Sequence, residues 1–224
     1  MAGKLYVVAT PIGNLKDITL RALEILKEAD LILCEDTRRT RLLLTHYGIS
    51  NELLSYNEHN ERERIPKTIE LLEEGRKVAL VSDAGTPGIS DPGYRLVREA
   101  RIRGFDIISV PGPSAVIAAL SISGLPTDRF VFEGFLPRKK KKRLKRLEFL
   151  KNEDRTIIIY ESVHRIERIL REILEIMGDR EVALCRELTK LHEEVRFGQL
   201  SDIQTQEIKK KGEFVIVLRG KDES

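Results

Sequence analysis

Four segments of this 224-residue chain combine chemistry-bearing side chains with conformationally special residues directly after an apolar run. Pro11-Ile-Gly-Asn14 follows Lys4–Thr10, and Glu35-Asp-Thr-Arg38 follows Leu31–Cys34. Ser82-Asp-Ala-Gly-Thr-Pro-Gly-Ile-Ser-Asp-Pro-Gly93 follows Val78–Val81, and Pro111-Gly-Pro-Ser-Ala115 follows Asp106–Val110. The longest governs the reading. Gly85, Pro87, Gly88, Pro92 and Gly93 free or fix its backbone, so that N–H groups can approach a ligand. Asp83, Thr86, Ser90 and Asp91 add hydrogen-bonding atoms without bulk. A strand-to-helix connection ordinarily takes about two to six residues and longer ordered ones tend to be functional, so this loop is expected to bind a ligand. In Glu35–Arg38, capping of the next helix by Asp36 or Thr37 would use one or two polar side chains and leave Glu35 and Arg38 unaccounted for. None of the segments contains Gly-x-Gly-x-x-Gly or a phosphate loop ending in Lys-Ser/Thr, which argues against a pyrophosphate-bearing cofactor. Small residues, backbone groups and hydroxyls suit a compact ligand with a neutral heterocycle, a ribose and a zwitterionic tail.

The elements that must position these segments follow from periodicity. The preceding apolar runs read as strands buried on both faces. Helices are predicted after them: one with Leu20, Leu23 and Leu26 at helical spacing and Asp17 as cap, one over Leu42–His46, one over Tyr94–Arg103 stopped by Gly104, and one over Val116–Ser123. Leu53–Tyr56 predicts a short strand. The helix that then runs to Leu72 starts from Asn57-Glu-His-Asn60, which is either a capped helix start or the wall of a site. Alternating strands and helices imply a parallel sheet, whose strand-to-helix loops share one edge and form a ligand crevice beyond the carboxyl ends. The four segments should therefore meet in one cleft. Gly124-Leu-Pro-Thr-Asp128 marks the expected boundary between an α/β domain with a mainly parallel sheet over 1–124 and an α/β domain with a mixed sheet over 125–224. The second half predicts strands at Phe130–Phe132, Thr156–Tyr160, Val182–Cys185, Glu193–Gly198 and Phe214–Leu218. Its amphipathic helix carries a stripe of Ile166, Ile169, Leu170, Ile173, Leu174 and Met177.

Composition narrows the class. Hydrophobic residues at 41% and charged residues at 33% describe a soluble globular chain. No apolar run approaches the roughly 20 residues that span a bilayer, and the amino terminus lacks a signal-peptide layout, so a cytoplasmic location is expected. Cys34 and Cys185 lie in apolar runs and are expected as buried reduced thiols; the four histidines have no ligand spacing, so no metal is expected. The net charge of +3 conceals Arg138-Lys-Lys-Lys-Lys-Arg-Leu-Lys-Arg146, with eight basic residues and no acid. Without that run the chain has 31 basic against 36 acidic residues. Charges of one sign repel unless something anionic is near, so Arg138, Lys139, Lys140, Lys141, Lys142 and Arg143 read as an RNA phosphate clamp. With no aromatic interleaved, the run is expected to position phosphates rather than stack bases.

Seven ordered motifs carry a resemblance. Thr10-Pro-Ile-Gly-Asn-Leu15, Glu35–Arg38, Ser82–Gly93, Pro111–Ala115, Gly134-Phe-Leu-Pro137, Tyr160-Glu-Ser-Val-His-Arg165 and Arg186-Glu-Leu-Thr-Lys190 resemble the ribosomal RNA small subunit methyltransferase I family, which has the tetrapyrrole-methylase fold. The resemblance runs from about Lys4 to Leu218 and implies two α/β domains with S-adenosylmethionine in a cleft between them, a homodimer, and 2′-O-methylation of a cytidine in the decoding region of 16S ribosomal RNA. By motif it implies donor contacts at Pro11 and Gly13, along Asp83, Ala84, Gly85, Thr86, Gly88 and Ile89, at Ser114 and Ala115, and at Tyr160, Leu188, Glu213 and Phe214. It turns Glu35, Arg38, His59, Asn60 and Lys190 toward the RNA.

Methyl transfer from a sulfonium needs in-line positioning, which supplies roughly 7 to 11 kcal/mol in favourable cases. A base for the hydroxyl proton adds about 10² to 10⁴-fold. The candidates are Lys190, if desolvation lowers its pKa, or a carboxylate among Glu35, Asp36 and Asp83, with Lys190, Glu35 and Arg38 forming the expected catalytic set. Lys190 beside Glu187 and Glu193 would equally serve a structural ion pair. Two other readings stay open: a methylase of the same fold acting on a tetrapyrrole or a protein side chain, and a non-catalytic RNA-binding or assembly protein with a vestigial cleft, which would not bind the donor.

Overall fold

The computed structural model describes residues 3–221 apart from Lys210. The chain divides into two compact units, 1–114 and 115–224.

The first unit is a five-stranded sheet flanked by helices. Its strands are β1 (Lys4–Val8), β2 (Leu31–Cys34), β3 (Leu53–Ser55), β4 (Lys77–Leu80) and β5 (Asp106–Val110). The order β3-β2-β4-β1-β5 is parallel throughout. Helices α1 (Leu20–Glu28), α2 (Thr37–His46), α3 (Glu61–Glu73) and α4 (Tyr94–Ile102) connect them. Strand residues alternate between two cores. Tyr6, Val8, Ile32, Cys34 and Ala79 pack with Ala22 and Leu26 of α1 and Leu44 of α2. Leu5, Leu31, Leu33, Val78 and Leu80 pack with Ile69 and Leu72 of α3 and with Leu96 and Ala100 of α4. The chain leaving β1 therefore turns to one face and the chain leaving neighbouring β4 to the other, which opens a crevice at their carboxyl ends.

The first helix differs from expectation at its start. Asn14 Oδ1 accepts the Lys16 N–H and opens a short 3₁₀ turn over Leu15–Asp17, and Thr19 Oγ1 accepts the Ala22 N–H to cap α1, so Asp17 is not the cap. A hydroxyl nearer the apolar periodicity wins the position.

The second unit contains α5 (Ala115–Ser121), β6 (Phe130–Phe135), α6 (Lys140–Leu150), β7 (Thr156–Ser162), α7 (Ile166–Met177), β8 (Glu181–Arg186), β9 (Glu194–Gln199), α8 (Leu200–Thr205) and β10 (Glu213–Leu218). Its sheet, β6-β7-β10-β8-β9, is mixed: β6 and β7 run parallel and the remaining pairs antiparallel. Ile166, Ile169, Leu170, Ile173 and Met177 of α7 are buried, as the stripe requires. The division of the chain falls ahead of the Gly124–Asp128 turn because α5 packs on β10. Helix α8 carried no recognisable stripe in six residues. No helix among the described residues is long and apolar enough to cross a membrane.

Candidate active site

Three of the four first-unit segments touch at the β1/β4 crevice. Thr10 and Gly85 exchange backbone hydrogen bonds of 2.9 and 3.0 Å, and the buried Thr10 hydroxyl donates to the Ser82 carbonyl at 3.0 Å. Gly85 has a φ of 88°, and a Cβ there would stand 3.4 Å from the Ile12 Cγ2 and 3.7 Å from the Pro113 carbonyl. The Thr86 hydroxyl reaches that carbonyl at 3.5 Å. A Cβ on Gly112 would press within 3.0 Å of the Ala9 Cβ. Both glycines thus let turns from different strands close on each other.

The fourth segment is joined by carboxylates. Glu35 Oε1 accepts the Asp83 N–H at 3.2 Å, and Asp83 Oδ1 accepts the Asp36 N–H at 3.1 Å. Arg39 pairs with the other Asp83 oxygen at 3.3 Å. Asp36 caps α2 through the Arg38 N–H and also grips the Arg38 guanidinium, which holds its carboxyl at about 2. Arg38 is therefore the exposed partner of the capping carboxylate. Burial raises the pKa of Glu35 against the Asp83 N–H, which lowers it.

Asp91 is the rim residue that sequence reasoning passed over as a possible base. Burial first, and then neighbouring Glu35, push its carboxyl up to about 7 despite a hydrogen bond with Ser82 that lowers it. Its signal lay in the Ser-Asp-Pro-Gly turn, but four rim acids gave no sign of which would lose water. Ser90 beside it adopts a φ of 64°. The other non-glycine residues of positive φ among those described are Glu187 and Thr189, in the Arg186–Lys190 motif. Such conformations cost on the order of 1–3 kcal/mol and gather at functional turns.

The Asn57–Asn60 cluster spends its side chains locally. Asn57 and Asn60 exchange amide contacts with each other's backbone at 2.8 and 3.3 Å, and Asn60 Nδ2 donates to the Ser55 carbonyl. The cluster is the entrance to α3, and it leaves His59 exposed.

In the second unit, strand pairing brings Tyr160, Glu213, Phe214 and Arg186 to one end of the sheet. Tyr160 lies edge-on to Phe132 and Phe135 at 4.9 and 5.6 Å. Leu188 and Phe214 are buried and offer a ligand only their backbone. Lys190 corrects an expectation. Its ammonium donates to Glu187 at 2.8 Å and Glu213 at 2.7 Å. Burial alone would lower its pKa, but these carboxylates outweigh it and raise the pKa, opposite to the lowered pKa expected of a base, and the ammonium is held in an ion pair. Its partner is Glu213 instead of Glu193, whose carboxylate accepts the Thr189 N–H.

The basic run is corrected as well. Arg143 turns inward, forks onto Glu172 at 2.6 and 2.8 Å, and donates to the Pro137 and Arg138 carbonyls. Arg146 forks onto Glu133 at 2.7 and 2.5 Å. The anions that tolerate these two arginines are the chain's own, whereas Arg138 and Lys139–Lys142 remain exposed.

Residues 4–204 match the model of the Tetrapyrrole (Corrin/Porphyrin) Methylases. The ribosomal RNA small subunit methyltransferase I of Thermotoga maritima is 54% identical over 222 residues, 98% of this chain and 100% of that protein. This chain belongs to the ribosomal RNA small subunit methyltransferase I family of tetrapyrrole methylases. Its counterpart in Halalkalibacterium halodurans is 51% identical over 223 residues, 99% of this methylase and 77% of that protein. The crystal structure of uroporphyrin-III-C-methyltransferase from Thermus thermophilus shares the fold, with a TM-score of 0.64 at 23% identity, covering 98% of this methylase and 93% of that chain.

Methyltransferases of this type use S-adenosylmethionine. The rim of the first unit fits that group. The Gly85 cradle would be filled by a Cβ, its neighbours are short, and the Glu35 and Asp83 carboxylates stand on the same rim, where a ligand with positive centres would meet them.

Proposed function

We propose that this methylase transfers a methyl group from S-adenosylmethionine to the 2′-hydroxyl of a cytidine in the decoding region of small-subunit ribosomal RNA, acting in the cytoplasm as a homodimer. The observation that carries the reading is the closure of three loops on the one that holds Gly85, at the β1/β4 crevice, in a chain 54% identical to a ribosomal RNA small subunit methyltransferase I.

The donor supplies an electrophilic methyl carbon on a leaving thioether that needs no acid. Asp83, Ala84, Gly85, Thr86, Gly88 and Ile89, with Pro11, Gly13 and Ser114 nearby, would hold it largely through backbone groups, because Thr10, Glu35 and Pro113 fix the course of that loop. Orientation then carries most of the rate. Asp91, with a carboxyl pushed up to about 7, is the rim group whose proton affinity matches neutral pH, and it takes the place of Lys190 as acceptor of the hydroxyl proton. Exposed Lys139, Lys140, Lys141 and Lys142 form an extended cationic arm that suits the phosphate backbone of RNA better than a compact tetrapyrrole or a protein side chain.

The test is radiolabelled methyl transfer offered small ribosomal subunits, naked ribosomal RNA, uroporphyrinogen and elongation factor. Label on a ribose of the subunit or its RNA supports the reading; label on the porphyrinogen or protein alone overturns it.

A further inference from the structure

Helix α6 extends beyond the basic run to Leu150 and so carries Phe149, a ring 68% exposed. Burial of Arg143, Leu147 and Leu150 fixes the rotation of the helix. Its outer stripe is then Lys142, Lys145 and Phe149, with Phe149 about 6 Å along the axis from Lys145 and about 10 Å from Lys142. No acidic side chain pairs with Lys141, Lys142 or Lys145 among the described residues.

The ring is held in place from one side. Arg146 stacks on it with the guanidinium carbon 4.7 Å from the ring centroid. Arg146 is itself fixed by the fork onto Glu133, whose side chain is 7% exposed. A buried carboxylate thus orients an arginine, the arginine backs one face of an aromatic ring, and the other face remains available. A scattered surface phenylalanine has no such support.

We propose that Phe149 is a stacking platform for an unpaired base of single-stranded RNA, with Lys142 and Lys145 holding the flanking phosphates. This rests on the reading above that the substrate is RNA, and it adds the class of RNA recognised. A base inside a duplex already has neighbours on both faces and gains nothing from the ring. An unpaired base gains base–aromatic stacking without sequence preference. The lysines supply an electrostatic term that falls with salt. Recognition here is therefore for a loop or a locally opened strand.

The protein contains no tryptophan, so Phe149→Trp installs a single fluorescent reporter. A short unstructured RNA oligonucleotide should quench that fluorescence, and the same strand annealed to its complement should not. Phe149→Ala should weaken binding of the single strand about 5- to 100-fold while leaving the slope of log affinity against log salt unchanged, since no phosphate contact is lost. Lys141→Gln/Lys142→Gln/Lys145→Gln should flatten that slope. Unquenched Phe149→Trp fluorescence at saturating RNA, or equal quenching by duplex, overturns the platform. If Phe149→Ala binds like wild type while the lysine variant still flattens the slope, stacking falls and RNA binding by α6 stands. If the lysine variant also leaves affinity and slope untouched, RNA recognition by α6 falls with it.

Discussion

The Glu35 carboxylate accepts the backbone N–H of Asp83 at 3.2 Å, although 48 residues separate them in the chain. Asp83 returns the contact by accepting the Asp36 N–H. The two loops that end β2 and β4 are therefore fastened to each other through side chains whose acceptor atoms are already engaged.

Glu35 should behave as a positioning residue. Glu35→Ala leaves the Asp83 N–H without its partner and should weaken binding of S-adenosylmethionine about fivefold, the equivalent of one hydrogen bond. Glu35→Gln keeps an acceptor oxygen and should bind nearly as wild type, with turnover within a few-fold. Calorimetry and initial rates check this; a large loss of kcat in Glu35→Gln with donor affinity unchanged would make Glu35 a base instead.

Asp91 carries two pH signatures. As the proton acceptor it must be ionised, so kcat should rise as pH increases through about 7, and Asp91→Asn should lose about 10² to 10⁴-fold and abolish that limb. Its folded pKa lies above the unfolded value of 3.8, so its contribution to stability is fully present below about pH 4 and is lost as pH rises through about 7. Relative to wild type, Asp91→Asn should gain stability between those limits, on the order of a few kcal/mol at most. Rate profiles and denaturant melts at a series of pH values read both.

Lys190→Met should retain donor affinity and turnover. It leaves Glu187 beside Glu213, but Glu213 is well exposed, so the loss of stability should stay near 1 kcal/mol. A variant that folds and binds the donor yet shows no turnover would return Lys190 to the chemistry.

Arg143 is the basic residue of the run whose loss should unfold the protein most readily. Removing it strands the largely buried Glu172, which should cost about 3–5 kcal/mol in Arg143→Ala, and replacing both partners by Met should recover much of that. Lys141→Gln should leave the midpoint of urea unfolding unchanged.

The alternation of strands and helices was legible because β1, β2, β4 and β5 are apolar runs followed by glycine, proline or capping residues, and the same pattern put their loops on one rim. Asp17 misled because Thr19, two residues on, competes for the same cap. Lys190 and Arg143 misled for another reason: their partners Glu213 and Glu172 lie 23 and 29 residues away, and linear sequence does not encode which carboxylate arrives. Asp91 was illegible for the same reason in reverse, since its proton affinity comes from burial and from Glu35, a residue of another loop.

The position of β4 between β2 and β1 sets a timetable for synthesis. Lys4 pairs with Lys77, and Leu31 with Val78, so until the ribosome has delivered the residues after Arg76, the emerging chain can join only β2 to β3. The opening strand must wait, apolar and unpartnered, for a segment made long after it, so a nascent chain stalled before Lys77 should draw chaperones, and one released after Val110 should not.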